Sequence, residues 1–473
     1  METFSHKQKL LLFIIFLSLF SLYNLASIGF PCDDTWIHMQ TARNFARYGV
    51  LSFNVELPTY SSTSPLWSLL LGSIGYLTGL DFLWIGRILS WLCGVFAIIL
   101  LSKLIRKRGD DYAMVIGLAL LSGDVYFSYN MAMEMSLFLL LTASLFLVHR
   151  AEIERKRLPI ASGILMALTA LTRPEGIPLI LLFVVHRVWR ERSLKGLLAL
   201  LVALLVYSPW IVYAQKTYGT IVPITIIAKS SANWPLSRII HHRIRLIFMI
   251  LRGFLIPIVI SLGGIFIAYK EKRLGNAFMK RDLEIAWVLG MLAFYFLGLK
   301  EWNFSSRYTV TYGPFIAVLG AWSASVILKY LGRCSKRNVI LLITIISILL
   351  LALQTAAYIT RTIRRSKIDS NLDRMVAYVD KNTPDDATIE IGRIGLAGYV
   401  TDRKIIDPAG IATREGLEVR SGKISRSEFD VMMHPDYSIR AGEHEIPPQS
   451  KLIYVEDSAE SAPPVYLYKH NWD

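Results

Sequence analysis

Residues 10–30, LLLFIIFLSLFSLYNLASIGF, carry no charge and are followed at once by PCDDTWI at 31–37. A helix rises about 1.5 Å per residue, so this run is long enough to cross a hydrocarbon layer of about 30 Å. Lys7 and Lys9 precede it in the manner of a signal peptide, yet the run exceeds an h-region of about 7–15 residues and reads as an uncleaved anchor. Asp33 and Asp34 therefore stand just past the end of a membrane span.

Apolar runs of the same kind recur at 82–102, 112–129, 132–148, 158–172, 174–186, 194–213, 244–269, 283–299, 308–328 and 339–358, which with 10–30 predicts eleven spans. The spans at 158–172 and 174–186 are short and require a thinned bilayer or burial in protein. With 473 residues that are 53% hydrophobic and 18% charged, the chain is a polytopic α-helical membrane protein. A soluble enzyme, a disordered chain and a fibre are excluded. The net charge of +15 comes entirely from the membrane part, because residues 360–473 hold 16 Lys+Arg and 19 Asp+Glu. The basic residues cluster between apolar runs: Lys103 to Arg108, Arg150 to Arg157, Arg187 to Lys195, Lys270 to Arg281 and Lys329 to Arg337. Such clusters orient helices rather than grip nucleic acid, which is not expected as a partner.

Eleven spans place every cluster in the cytoplasm, with the N-terminus. Counting the short run 64–78 as a further crossing would put all five clusters outside, so it is expected to be re-entrant or interfacial. Residues 31–81 then form a first outer loop, 214–243 a second, and 360–473 an extracytoplasmic domain beyond a membrane domain at 1–359. Cysteine-accessibility labelling at Ser335 and Ser421 should report opposite sides of the cell membrane; labelling from one side at both positions would overturn this topology. Cys32, Cys93 and Cys334 are too scattered along the chain to suggest a disulfide. In the last domain a helical pattern at Leu372 to Lys381, strands at Thr388 to Ile391 and Lys404 to Ile406, and a hairpin of Leu452 to Val455 with Val465 to Tyr468 predict a small α/β fold.

Two adjacent carboxylates at a membrane surface repel each other and need a reason. One reading makes Asp34 the N-cap of a helix from Thr35 to Tyr48. That helix would carry a polar stripe of Gln40, Arg43, Asn44 and Arg47 opposite Ile37, Met39 and Phe45, as interfacial helices do. The other reading gives the pair a role in chemistry. Capping accounts for one aspartate and leaves the other unexplained.

These residues also carry a resemblance. Asp33-Asp34-Thr35-Trp36-Ile37, Ala42-Arg43-Asn44, Gly49, Phe53-Asn54 and Ser62-Thr63-Ser64-Pro65-Leu66-Trp67 resemble the first outer loop of integral-membrane glycosyltransferases of the GT-C fold. The nearest groups are the cell-wall arabinosyltransferase-like and protein O-mannosyltransferase-like ones. The series continues in order with Met133-Glu134, Leu171-Thr172-Arg173-Pro174-Glu175-Gly176, Tyr218-Gly219, Pro223, Thr225, Ala228-Lys229 and Arg307-Tyr308, then Gly398-Tyr399, Ile406-Asp407 and Gly410. The chain departs from the pattern at Gln40, where relatives often have arginine, and in lacking a glycine around Tyr60 to Ser62.

The resemblance implies a polyprenyl-phosphate sugar donor and an acceptor hydroxyl on a glycan, lipid or protein outside the membrane, with inversion at the sugar. A carboxylate that takes the acceptor proton contributes roughly 10²- to 10⁴-fold, and the departing lipid phosphate needs cationic stabilisation. Asp33 is the expected base, with Asp34 as its partner, capping the helix and holding the acceptor or a divalent cation. Arg307 and Lys229 are expected on the phosphate, Arg173 and Tyr308 after them, and Glu134, Glu175 and Arg43 in support. Each has an ordinary alternative: Arg173 satisfying carbonyls at the Pro174 break, Lys229 snorkelling, Arg307 anchoring a helix end, and Glu134 and Glu175 pairing with Arg173. His241-His242 reads as a basic patch, since adjacent helical histidines diverge. The rival class is a transporter or flippase, which would carry ionisable groups near the midplane.

Overall fold

The computed structural model describes residues 6–26, 32–106, 116–118, 120–121, 132–231, 234–271, 274–297, 306–331, 345, 349, 352–353, 356, 359–360, 370–441, 449–457 and 462–472. The expected spans at 112–129 and 339–358 fall largely outside these residues, as do Cys334 and Ser335. The chain divides into two compact units. One comprises Met1–Ile28, Leu89–Tyr207 and Ser237–Ile359; the other comprises Gly29–Ile88, Ser208–Leu236 and Thr360–Asp473.

The helices in chain order are α1 (His6–Ala26), α2 (Asp33–Tyr48), α3 (Pro65–Thr78), α4 (Phe82–Arg106), α5 (Met135–Glu154), α6 (Ile160–Thr172), α7 (Gly176–Glu191), α8 (Lys195–Tyr218), α9 (Ile224–Ser231), α10 (Leu236–Lys270), α11 (Leu274–Leu297), a 3₁₀ turn (Ser306–Thr311) and α12 (Gly313–Leu331). Among the described residues five stretches are long and apolar enough to cross a membrane: Phe82–Ile105, Met135–Glu154, Lys195–Tyr218, Gly253–Lys270 and Gly313–Leu331. Phe13–Leu25 and Ile160–Thr172 are shorter apolar helices.

In the first unit, α5, α6 and α7 form consecutive antiparallel hairpins whose charges lie in two layers. Glu134, Arg173 and Glu175 gather at one end; Arg150, Glu152, Arg187, Arg281 and Glu284 gather at the other, all buried. Glu134 and Arg150 are sixteen residues apart along one helical stretch, which is about 24 Å and close to a hydrocarbon thickness. Arg150, Arg187 and Arg281 belong to three of the basic clusters between apolar runs. Each is paired with a carboxylate: Arg150 with Glu284, Arg281 at 3.1 Å from Glu284, and Arg187 at 2.9 Å from Glu152 and 3.1 Å from Glu191. His149 and His186 share a hydrogen bond of 2.9 Å in the same layer.

The second unit contains α13 (Ser370–Asn382), β1 (Thr388–Ile391), α14 (Ile394–Thr401), β2 (Lys404–Ile406), α15 (Gly416–Ser421), α16 (Arg426–Met433), β3 (Tyr437–Ala441), β4 (Ser450–Glu456) and β5 (Val465–His470). The sheet order is β2-β1-β3-β5-β4: β1 is parallel to β2 and β3, while β5 is antiparallel to β3 and β4. A domain boundary at 359 separates the chain but not the packing. Ile37 and Phe53, from residues 31–81, are buried in one core with Met375, Val379, Ile389, Ile405 and Leu467. Helix α3, expected not to cross, lies in this unit and packs on α2.

Candidate functional site

The helix carrying the aspartates begins two residues earlier than the capping reading requires. Cys32 is the N-cap, with φ −82° and ψ 163° and no side-chain cap bond, so Asp33 and Asp34 both occupy the first turn. Carboxylates there meet the positive end of the helix dipole, which explains how two neighbouring negative charges coexist. Capping by Asp34 is thereby corrected. The helix ends at Tyr48, where Gly49 at φ +73° gives its N–H to the Phe45 carbonyl, a conformation costly for side chains with a Cβ.

The polar stripe of α2 does not lie in an interface. Gln40, Arg43 and Asn44 are buried: Gln40 accepts from Arg43 in the same helix, and the partners of Arg43 and Asn44 come from the C-terminal domain and the first loop. Arg43 donates to the Tyr399 carbonyl at 3.0 Å and to Asp402 at 2.7 Å, with its guanidinium 4.8 Å from the Tyr399 ring centroid. Asn44 donates to the carbonyls of Ser52 and Phe53. Burial lowers the Arg43 guanidinium from its ordinary value, against the opposing pull of Asp402. Arg43 is therefore a bracket between α2 and α14. Tyr399 gives its hydroxyl to Asp81 at 3.0 Å, and its phenol is pushed up by burial and then by that carboxylate.

The backbone of α14 comes directly against Asp33, whose Oδ1 accepts the Leu396 N–H at 3.3 Å. In the same unit Lys229 lies half-buried in the last turn of α9. The start of α9 is tied to the first loop by the Ile224 N–H on the Tyr60 carbonyl, 3.0 Å. Arg420 reaches the Ala228 carbonyl at 3.0 Å and the Ala409 carbonyl at 3.2 Å. The Ala409 loop is organised by Asp407, which is fully buried and accepts the N–H groups of Ala409, Ile411 and Ala412. Burial raises its carboxyl to about 6, while those three donors hold it down.

The hydroxyl-rich turn before α3 is also buried. Ser61 Oγ, Ser64 Oγ, Trp67 Nε1 and Thr225 Oγ1 meet no hydrogen-bond partner among the described residues. A buried polar atom left so costs about 1–3 kcal/mol unless something else meets it. Sequence reasoning singled out this stretch without assigning it a role.

In the first unit, the Thr172-Arg173-Pro174-Glu175 break shapes the second group of candidates. The residue before a proline is driven out of the helical region, and Arg173 is accordingly extended at φ −156°, ψ 146°, which ends α6. Its guanidinium meets Glu134, and it grips Glu175 with Nε at 3.1 Å and Nη2 at 2.7 Å. The three side chains are only 2–6% exposed. Tyr295 donates its hydroxyl to Glu175 at 3.0 Å and lies 3.1 Å from Thr311 Oγ1; Trp287 donates to the Thr311 carbonyl at 2.8 Å. Tyr308 is buried with its ring centroid 5.7 Å from the Arg173 guanidinium. Arg307 lies in the 3₁₀ turn, and its side chain is outside the described residues.

Thus Asp33, Asp34, Arg43 and Lys229 belong to one unit, and Glu134, Arg173, Glu175 and Tyr308 to the other. Tyr295 and Thr311 were missed. A tyrosine inside the apolar run 283–299 was the signal available, because a buried phenol needs a partner. Among the described residues no group of three or more His, Cys, Asp or Glu is arranged to hold a metal ion.

The sequence model of the dolichyl-phosphate-mannose-protein mannosyltransferase family matches residues 62–213. No curated protein matches the chain as a relative. Among solved structures the chain is similar to ArnT from Cupriavidus metallidurans bound to undecaprenyl phosphate, with a TM-score of 0.67, 12% identity and 98% of each chain covered. The apo state of the same protein gives a TM-score of 0.67 at 12% identity, over 96% of this chain and 97% of that one. The Archaeoglobus fulgidus oligosaccharyltransferase in its apo form gives 0.54 at 12% identity, over 90% of this chain and 69% of that one. The fold is GT-C: apolar helices with a small C-terminal sheet domain. A transporter would place its ionisable residues near the midplane, whereas the buried charges of α5 to α7 lie at helix ends.

Proposed function

We propose that the chain is an integral-membrane glycosyltransferase that moves a monosaccharide from a polyprenyl-phosphate donor to an acceptor hydroxyl on the outer side of the cell membrane, with inversion. The N-terminus is cytoplasmic and the C-terminal domain extracytoplasmic. The observation that carries this reading is the ordered motif series from Asp33 to Asp407 on a GT-C fold similar over nearly its full length to a protein bound to undecaprenyl phosphate. The acceptor is a glycan, lipid or protein hydroxyl.

Asp33 takes the acceptor proton as the acceptor oxygen bonds to the anomeric carbon and the bond from that carbon to the phosphate oxygen breaks. The leaving group is the lipid phosphate, whose growing charge is met by Lys229 and Arg307. The unpartnered donors of Ser61, Ser64, Trp67 and Thr225 suit the sugar and phosphate oxygens of the donor. Asp34 holds the acceptor or a divalent cation beside the base. Arg173 already shares its guanidinium with Glu134 and Glu175, so it orders the outer end of α6 and α7 beneath Tyr308 rather than leading phosphate capture.

Purified protein should release polyprenyl phosphate from at least one member of a panel of undecaprenyl-phosphate pentoses and hexoses when envelope membranes supply the acceptor. No release from any donor would refute the reading. Arg307→Ala and Lys229→Ala should each weaken donor binding by roughly 10- to 100-fold in a filter or thermophoresis titration, the worth of a charged hydrogen bond. Normal binding by Arg307→Ala would remove that residue from the site.

A further inference from the structure

We infer that the C-terminal α/β domain is a positioning element for the base, with the backbone of Gly395 and Leu396 setting where the Asp33 carboxylate stands. This rests on the reading of Asp33 as the base. Two independent features of the interface carry it. First, the Leu396 N–H donates to Asp33 Oδ1. Second, a Cβ at Gly395 would lie 2.0 Å from the Asp33 carbonyl oxygen and 2.9 Å from Oδ1, so only hydrogen fits between the two backbones. An approach this close, made by one residue pair and reinforced by a hydrogen bond from the next, fixes both the main chain and the carboxylate of the same aspartate.

The helix that makes this contact is itself anchored. Arg43 ties α2 to the Tyr399 carbonyl and Asp402 at the far end of α14. Trp36 packs on Tyr399 with ring centroids 5.2 Å apart. The Asn54 side-chain amide accepts the Ile405 N–H at 3.3 Å and donates to the Ile405 carbonyl at 2.9 Å, so it ties the first loop to the edge strand β2. Phe53 is buried in the domain core. The aspartate lies in the first turn of a helix that follows a membrane span, and the sheet domain supplies the rigid body against which that turn is set. General-base transfer needs heavy atoms within about 2.6–3.2 Å, and a misplacement near 1 Å costs on the order of 10²-fold. A positioning contact therefore acts on turnover, not on donor affinity.

The glycines of this segment provide the test and its controls. Gly392 has open space around it; a Cβ at Gly398 would meet the Phe53 ring at 2.4 Å, loosening the same interface away from Asp33. Full-length Gly395→Ala, Gly398→Ala and Gly392→Ala proteins are to be assayed with undecaprenyl-phosphate sugars, alongside Asp33→Asn and thermal melts. Gly395→Ala should lower kcat about 100-fold with the donor KM unchanged. Gly398→Ala, which strains α14 away from Asp33, should lower the melting temperature and cost kcat no more than about tenfold, and Gly392→Ala should do neither. If Gly395→Ala does not insert, Leu396→Pro carries the test by removing the N–H in the first helical turn, where proline is tolerated. The inference is overturned if Gly395→Ala keeps its kcat while Asp33→Asn is dead, or if Gly398→Ala loses as much kcat. If Asp33→Asn itself stays active, the base reading fails first.

Discussion

Asp33→Asn will abolish sugar transfer while donor binding and membrane insertion stay intact. The side chains are nearly isosteric, and the Asp33 oxygen that accepts the Leu396 N–H is matched by an amide oxygen, so the contact with α14 survives. What disappears is a group able to take the acceptor proton, a loss of roughly 10²- to 10⁴-fold in turnover with little change in donor KM. Asp34→Asn should be milder. Both residues lie in the first turn of α2, so removing the Asp34 charge forfeits a helix-dipole interaction of about 0.3–1 kcal/mol and weakens acceptor or cation binding. Turnover measured against donor affinity for both variants decides the matter. Near-normal turnover in Asp33→Asn, or Asp34→Asn as the only inactive variant, would end this division of roles.

The parts of the fold legible in sequence are those whose pattern is local. Uninterrupted apolar runs mark the spans, and alternating or continuous β-branched segments mark β1, β2 and the β4–β5 hairpin. Strand β3 escaped because its burial is set by distant partners. Ser438 is buried by a 2.7 Å contact with His470, and Arg440 by Asp430 and Glu390, so residues that read as solvent-facing lie inside. The stripe on α2 misled for the same reason: Gln40, Arg43 and Asn44 look like a face for the membrane boundary until α14 and the Ser52-Phe53 carbonyls are placed against them. In the candidate site, the acidic pair and the Arg-Pro-Glu break were visible as chemistry out of place beside apolar runs. The cap lies two positions before Asp34, since Cys32 has the extended backbone of an N-cap without the side-chain bond that a capping rule looks for. Tyr295 shows in the sequence only as a phenol inside an apolar run, because nothing in 283–299 tells that its hydroxyl meets Glu175.

The buried triad at the C-terminal end of α6 supports the last expectation. Arg173→Leu should lose about 3–5 kcal/mol of stability, read as a large drop in melting temperature and folded yield in detergent. The cost comes from what remains: Glu134 and Glu175, 2–4% exposed and without the cation that faces them, must either repel each other in a low-dielectric site or take up a proton. Replacing the whole set, with Glu134→Gln, Arg173→Met and Glu175→Gln together, leaves no uncompensated charge and should restore most of the melting temperature, since a buried ion pair often adds little over a neutral set of similar volume. The amide oxygen introduced by Glu175→Gln still accepts the Tyr295 hydroxyl, so Tyr295 and Thr311 keep their arrangement. On the proposed placing of Glu134, Arg173, Glu175 and Tyr308 in the donor site, turnover should nevertheless stay at least tenfold low in the triple variant. A stable triple variant with normal turnover would reduce the triad to a structural pin and leave catalysis to Asp33 and its surroundings alone.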